Sequence, residues 1–169
     1  MKTNIKKYIA LTFVLLGPVA VSFAQTASGT LTIQGTVAST VSITVAALSG
    51  YNTLDIANGV SGQNVANVTE KTNDKNGYTV TMTSLNAGAS GNSLFLADTA
   101  GGSGNDTVPY TLTYNSVAVS FSSGSATLTS TSSRTSQPGV VKALAVTIPS
   151  SWVNSATYAD TLTFTITGK

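Results

Sequence analysis

Thr161-Leu162-Thr163-Phe164-Thr165-Ile166-Thr167 places Leu162, Phe164 and Ile166 on one face of an extended chain and four threonines on the other. Successive side chains of a β-strand point to opposite sides, so this stretch is a strand with one dry face and one wet face. Threonine suits the wet face because its branched Cβ fits the pleat. The pattern recurs along the chain. Val41, Ile43 and Val45 share a face, with Ser42 and Thr44 opposite. Tyr78, Val80 and Met82 alternate with Thr79, Thr81 and Thr83. Tyr110, Leu112 and Tyr114 alternate with Thr111 and Thr113, and Val117, Val119 and Phe121 follow a short turn at Asn115-Ser116. Leu144, Val146 and Ile148 alternate with Ala145 and Thr147.

The segments between these runs carry turn chemistry. Asn76-Gly77 and Ser49-Gly50 are tight-turn signals. Gly101-Gly102-Ser103-Gly104-Asn105-Asp106 reads as a flexible loop, and residues 130–139 as a polar loop closed by Pro138-Gly139. Beyond the leader no stretch sustains a helical period, and there is no linker or fixed-period repeat. The expected architecture is all-β: one antiparallel sandwich of roughly seven to ten strands, immunoglobulin-like with Greek-key connections.

Residues 1–24 read as a secretion signal. Lys2, Lys6 and Lys7 form a basic start, an apolar core follows, and Ser22-Phe23-Ala24 offers small residues where a signal peptidase cuts, before Gln25. That core is too short for a membrane span, and no later run approaches eighteen apolar residues. Three of the eight basic residues leave with the signal and no acid does. The remainder holds five basic and six acidic residues, a net charge of −1. No basic cluster is left to support nucleic-acid binding. The chain has no Cys and no His. Disulfides, a Ser-His-Asp triad, a Cys-His dyad and a standard zinc site are thereby excluded, and no enzymatic activity, cofactor or metal is expected.

The remaining notable residues have plain readings. Asp55, Glu70, Asp74, Asp98, Asp106 and Asp160 are scattered and read as solvated loop acids rather than a paired catalytic set. Residues 101–106 match one copy of a calcium-binding repeat that works only when copies stack, so a loop is the simpler reading. Asn67-Val68-Thr69 and Asn105-Asp106-Thr107 fit the glycosylation sequon, as chance provides in a Thr-rich chain. Trp152, the single tryptophan, lies in the loop 149–156. There it reads first as a cap on the end of the core, and second as a contact for a sugar ring. Tyr110, Tyr114 and Tyr158 read as core or rim.

One segment resists a single reading. In Thr30-Leu31-Thr32-Ile33-Gln34-Gly35-Thr36-Val37, residues Leu31, Ile33 and Val37 share a face, and Gly35 takes the fourth place on it. A strand apolar on one side must be buried against something. It is either the first strand of its own sandwich or a strand donated to another copy. A glycine inside a strand marks close approach of another backbone or a shallow pocket. The next run, from Val41, begins after only Ala38-Ser39-Thr40, which is short for a crossing between sheets.

These residues resemble subunits of bacterial chaperone–usher pili, most closely the cysteine-free major subunits of the alpha (colonisation-factor) class and the spore-coat-U-like pilins. The likeness covers most of the chain after the signal. It is carried by residues 31–37 followed by Val41-Ser-Ile-Thr-Val45, by Asn73-Asp-Lys-Asn-Gly-Tyr-Thr-Val80, by Val108-Pro-Tyr-Thr-Leu-Thr-Tyr114 with Val117-Ala-Val119, and by residues 156–167. The chain differs from type 1-like pilins in having no disulfide and no penultimate aromatic residue.

The resemblance implies an incomplete immunoglobulin-like sandwich that lacks its last strand. A periplasmic chaperone fills the gap first. At an outer-membrane usher, the N-terminal strand of another subunit replaces it. Mapped here, residues 25–38 are the donor extension and 39–169 the pilin domain. Leu31, Ile33 and Val37 would occupy deeper pockets, and Gly35 a shallow one. The expected role is a structural subunit of an adhesive surface pilus, secreted through the periplasm and polymerised with copies of itself. The alternative is a monomeric secreted β-sandwich that binds glycan or matrix through Trp152 and the glycine-rich loop.

Overall fold

The computed structural model describes residues 25–88, 91–101 and 106–169. The expected signal, 1–24, and residues 102–105 of the glycine-rich loop lie outside them. The chain divides into two compact units, Met1–Thr36 and Val37–Lys169. The described part of the first, residues 25–36, has no strand or helix and is exposed.

The second unit is all-β among the described residues. Its strands are β1 (Val41–Ala47), β2 (Val60–Thr72), β3 (Tyr78–Ser84), β4 (Phe95–Asp98), β5 (Thr107–Pro109), β6 (Thr111–Tyr114), β7 (Val117–Ala118), β8 (Ser125–Thr131), β9 (Val140–Ile148), β10 (Tyr158–Ala159) and β11 (Leu162–Gly168). They form three sheets, ordered β1-β2-β9-β6-β7, β11-β3-β8 and β10-β4-β5. The pairings are antiparallel throughout. The two larger sheets face each other across one core. Val68, Leu112, Leu144 and Val146 come from the first, Met82 and Ala126 from the second, and Leu96 and Val108 from the third. Such sharing of one apolar interior between sheets is what a sandwich requires.

The turns follow from backbone chemistry. Asn115 and Ser116 both have positive φ (50° and 66°) between β6 and β7, the mirror-image turn whose twist matches that of a hairpin. Gly77 (φ 89°) closes the turn into β3 through its N–H to the Asp74 carbonyl, 3.2 Å. A Cβ there would meet the Thr131 carbonyl oxygen, so the position requires glycine.

Two expectations need correction. The strand expected over Val117, Val119 and Phe121 shortens to Val117–Ala118. The chain turns back at Ser123 (φ 51°) and Gly124 (φ 75°), with the Ser125 N–H bonded to the Ser122 carbonyl, and Phe121 drops into the core. Trp152 does not cap the core. It is fully exposed, while its neighbour Val153 packs against the apolar cluster. Adjacent residues of an extended segment point opposite ways, and here the smaller one faces inward.

Candidate functional site

β1 and β11 are both edge strands. Each is seven residues long and pairs on one side only, β1 with β2 and β11 with β3. An open edge presents a row of unpaired N–H and C=O groups. Folded proteins blunt such edges with lysine, proline or bulges. Neither strand has a lysine or a proline, and both pair without a register shift.

The inward faces of these two strands are under-covered. The register sets Val41 opposite Thr72, Ile43 opposite Glu70, Val45 opposite Val68 and Ala47 opposite Ala66. The β2 partners are buried, yet Val45 remains 46% exposed and Val41 40%. On the other sheet, Leu162, Phe164 and Ile166 face Ser84, Met82 and Val80. The β3 residues are buried and the β11 residues only half so.

Between the two edges lies a groove of about 340 Å³ lined by Val45, Ala47, Leu54, Leu96, Leu162 and Phe164, among others. It narrows toward the start of β1, where a Cβ on Gly168 would lie 3.6 Å from Val41 Cγ2. It opens toward Ala47 and Leu162. The site is therefore a trough with an apolar floor and two hydrogen-bonding rims. Over part of their length the two strands approach within 8 Å, Cα to Cα, so an extended segment paired with both rims, which needs about 9.5 Å between them, requires the rims to part.

The residues expected to donate such a segment present themselves to solvent. Leu31 is 85% exposed, Ile33 89% and Val37 85%. A Cβ on Gly35 would touch nothing within 4 Å. Where the segment joins the second unit it is held by Asn73. Its Oδ1 accepts the Thr40 N–H at 2.7 Å, and its Nδ2 donates to the Ala38 carbonyl at 2.7 Å. The Asn73 N–H also donates to the Thr40 carbonyl.

Two polar networks brace the sandwich around the groove. The first centres on Glu70, which is wholly buried on β2 and so is not the solvated loop acid that its type suggests. Its Oε1 accepts from Tyr114 OH and Thr129 Oγ1, both at 2.7 Å, and its Oε2 from Tyr78 OH at 2.7 Å and Lys142 Nζ at 2.9 Å. Lys142 also donates to Thr129 Oγ1 and sits 5.5 Å from the Tyr114 ring centre. One carboxylate thus ties β2, β3, β6, β8 and β9 together across both large sheets. Burial pushes its pKa up, but the donors from Tyr114, Lys142, Thr129 and Tyr78 outweigh this and leave it below the ordinary value. The same burial, with Glu70 as acceptor, raises the phenols of Tyr78 and Tyr114.

The second network fixes the wide end of the groove. Asp160, just before β11, accepts from Ser84 Oγ and Tyr110 OH through Oδ2, both at 2.6 Å. Its Oδ1 accepts the N–H groups of Asn86 and Thr161. Burial, then Asp160, raises the Tyr110 phenol.

Sequence reasoning missed both networks, although one signal was present. Ala66, Val68, Glu70 and Thr72 lie at period two on the buried face of β2, which places Glu70 inside. Among the described residues no group of three or more acidic side chains is arranged to hold a metal ion. Compared with known proteins, the chain matches no family model and no curated sequence.

Proposed function

We propose that this protein is a structural subunit of a surface pilus that polymerises head to tail, each copy inserting residues 30–37 between β1 and β11 of another. The observation that supports this most directly is the pairing of an empty apolar trough, with two free strand edges, with an exposed segment of matching alternation in the same chain. On this reading the fold is an immunoglobulin-like Greek-key sandwich that is completed only in the polymer. A periplasmic chaperone covers the groove before assembly, and an outer-membrane usher exchanges it for the donor strand.

Burying Leu31, Ile33 and Val37 contributes about 5–9 kcal/mol as an upper figure, from roughly 1.5–3 kcal/mol per side chain. Backbone pairing with β1 and β11 adds to it. A strand threaded through a folded body leaves only when its host opens, so the fibre is held kinetically as well. A contact of this kind does not close on itself and yields an open filament.

Deleting residues 25–37 tests the proposal. The truncated chain is expected to be secreted and to form no fibre by electron microscopy and no heat-resistant ladder on gels. Fibres from the truncated chain refute it.

A further inference from the structure

The charges of the second unit are segregated along its long axis. One end collects the start of β1, the end of β2, the turn into β3, the end of β8, the start of β9 and the end of β11, as the pairs Val41–Thr72, Glu70–Val140, Tyr78–Thr131 and Tyr78–Gly168 require. Lys71, Lys75, Arg134, Lys142 and Lys169 all lie there, against Glu70 and Asp74. At the opposite end the chain carries Asp55, Asp98, Asp106 and Asp160 and no basic residue. The register and contacts of that end place them together: Asp98 faces Tyr158 across β4 and β10, Asp106 accepts from the Asn154 N–H, and Asp160 from Ser84.

Little of this charge is neutralised within the chain. Among the described residues one ion pair forms, Lys142 with Glu70. The distal aspartates are satisfied by uncharged groups instead: Asp55 by Asn58, Asp98 by the Ala100 N–H, Asp106 by the Asn154 N–H, and Asp160 by hydroxyls and amides. At the basic end Lys75, Arg134 and Lys169 are exposed. Lys71, Arg134 and Gln137 help line a hollow of about 470 Å³ beside Val37 and Thr40.

These two ends are also the two ends of the proposed joint. The Asn73 clamp on Ala38 and Thr40 fixes the point at which the donor segment leaves the basic end. The groove opens at the acidic end, where Asp160 and Leu162 border it. A segment that leaves one copy at its base and enters another at the open mouth brings a basic end against an acidic end.

We infer that the two ends are complementary docking surfaces between copies of this chain, which steer each incoming subunit into head-to-tail register before its strand inserts. The inference rests on the pilus reading and deepens it. Opposed charge raises encounter rates and disfavours head-to-head or tail-to-tail approach. Acting between exposed and half-buried surface groups, it weakens with salt, because the screening length is about 10 Å at 0.1 M and about 3 Å at 1 M.

The test is a charge swap read as the rate of heat-resistant multimer formation by the refolded full chain at low and high salt. Reversing the basic end (Lys75→Glu with Arg134→Glu, net charge +3 to −1) or the acidic end (Asp55→Lys with Asp98→Lys and Asp106→Lys, −4 to +2) sets like charge against like. Each is expected to slow assembly about tenfold or more at low salt, the lower bound of electrostatic steering, and to approach the wild-type rate at high salt. Combining all five substitutions sets −1 against +2, restores opposed ends and is expected to raise the rate above that of either single-end reversal, which also excludes misfolding as the cause. Equal rates for the wild type and both single-end reversals at low salt overturn the docking inference and leave the pilus reading standing. So does a five-fold variant no faster than the single-end reversals. A wild-type chain that forms no multimer at any salt overturns the pilus reading, and this inference with it.

Discussion

Replacing Glu70 with glutamine tests whether a single buried carboxylate holds the two sheets together. The substitution keeps the shape of the side chain. Glutamine Oε1 still accepts from Tyr114 and Thr129, but the amide that replaces Oε2 is itself a donor and meets Tyr78 OH and Lys142 Nζ. The phenol can rotate and accept; the ammonium cannot. Lys142, whose side chain is only 15% exposed, is left charged and facing a donor. Removing one partner of a buried ion pair costs about 3–5 kcal/mol. The partial exposure of Lys142 places the expected loss near the lower bound, about 3 kcal/mol, or a fall in Tm of roughly 10 °C for a body of this size. Urea melts followed by tyrosine fluorescence and far-ultraviolet circular dichroism measure it. The double variant Glu70→Gln with Lys142→Met removes both charges and should recover more than half of the loss, since an apolar replacement of a buried pair is often close to neutral. The pH dependence has a defined sign. The folded Glu70 pKa lies below its ordinary value of 4.5, so its stabilisation is complete above that value and disappears as the pH falls through the folded pKa. The wild type should lose stability over this acid range, and Glu70→Gln should lack that component. A loss below 1 kcal/mol, or a double variant no more stable than the single one, refutes the bracing role.

Three further outcomes are expected. Gly35→Phe meets no neighbour in the chain and breaks no positive-φ requirement, so its melting curve should match the wild type while fibre formation falls at least about fivefold, because overpacking an inserted strand costs about 1–3 kcal/mol; unchanged assembly removes Gly35 from the joint. Asn73→Ala deletes both side-chain bonds to residues 38–40, and should accelerate hydrogen exchange at the Thr40 amide with a stability loss of about 1 kcal/mol, the usual scale for such bonds; persistent Thr40 protection contradicts the clamp. Ser116→Gly relieves a left-handed residue, φ 66°, in the β6–β7 turn and should raise stability by about 0.5 kcal/mol in the same urea melts; a decrease shows that the hydroxyl has a role the backbone geometry does not require.

How much of this was readable without coordinates depends on what each segment does with its polar residues. β3 and β6 bury one face and leave the other partly or fully exposed, and β9 and β11 alternate in the same sense, although Ala145 of β9 is buried and the inward residues of β11 are only half covered; the alternation was enough to place all four. β2, the longest strand, was not legible that way. Gln63, Asn64, Asn67, Glu70 and Lys71 interrupt its apolar pattern, because its buried face includes a carboxylate with four partners on other strands. A charge is tolerated inside only when such partners exist, and those partners come from sequence positions 8 to 72 residues away. The groove was illegible for a related reason. Alternation in β1 and β11 states which side chains face inward, but not that Val45 and Phe164 lack a cover. That follows from which strands become edges, a property of sheet order rather than of either strand.

The absence of cysteine and the burial of Glu70 belong to one physical problem. A sandwich with a free edge on each sheet at the same side has a weak seam there, since no strand bridges β1 to β11 and Val45, Leu162 and Phe164 stay part-exposed between them. Small β-domains often secure such a seam with a disulfide, which this chain cannot form. The Glu70 cluster supplies cross-sheet connections at the narrow end of the seam, beneath Ile43, and the Asp160 cluster does so at the wide end, at the entry to β11. Both lie under or beside the trough, and neither fills it. Polar networks suit this task better than additional apolar packing. Larger side chains that joined the sheets at these points would project into the groove, whereas hydrogen bonds join the sheets without filling it. The cost is sensitivity to acid and to any loss of a single partner, and that sensitivity makes Glu70, rather than a larger core residue, the position at which the body should fail first.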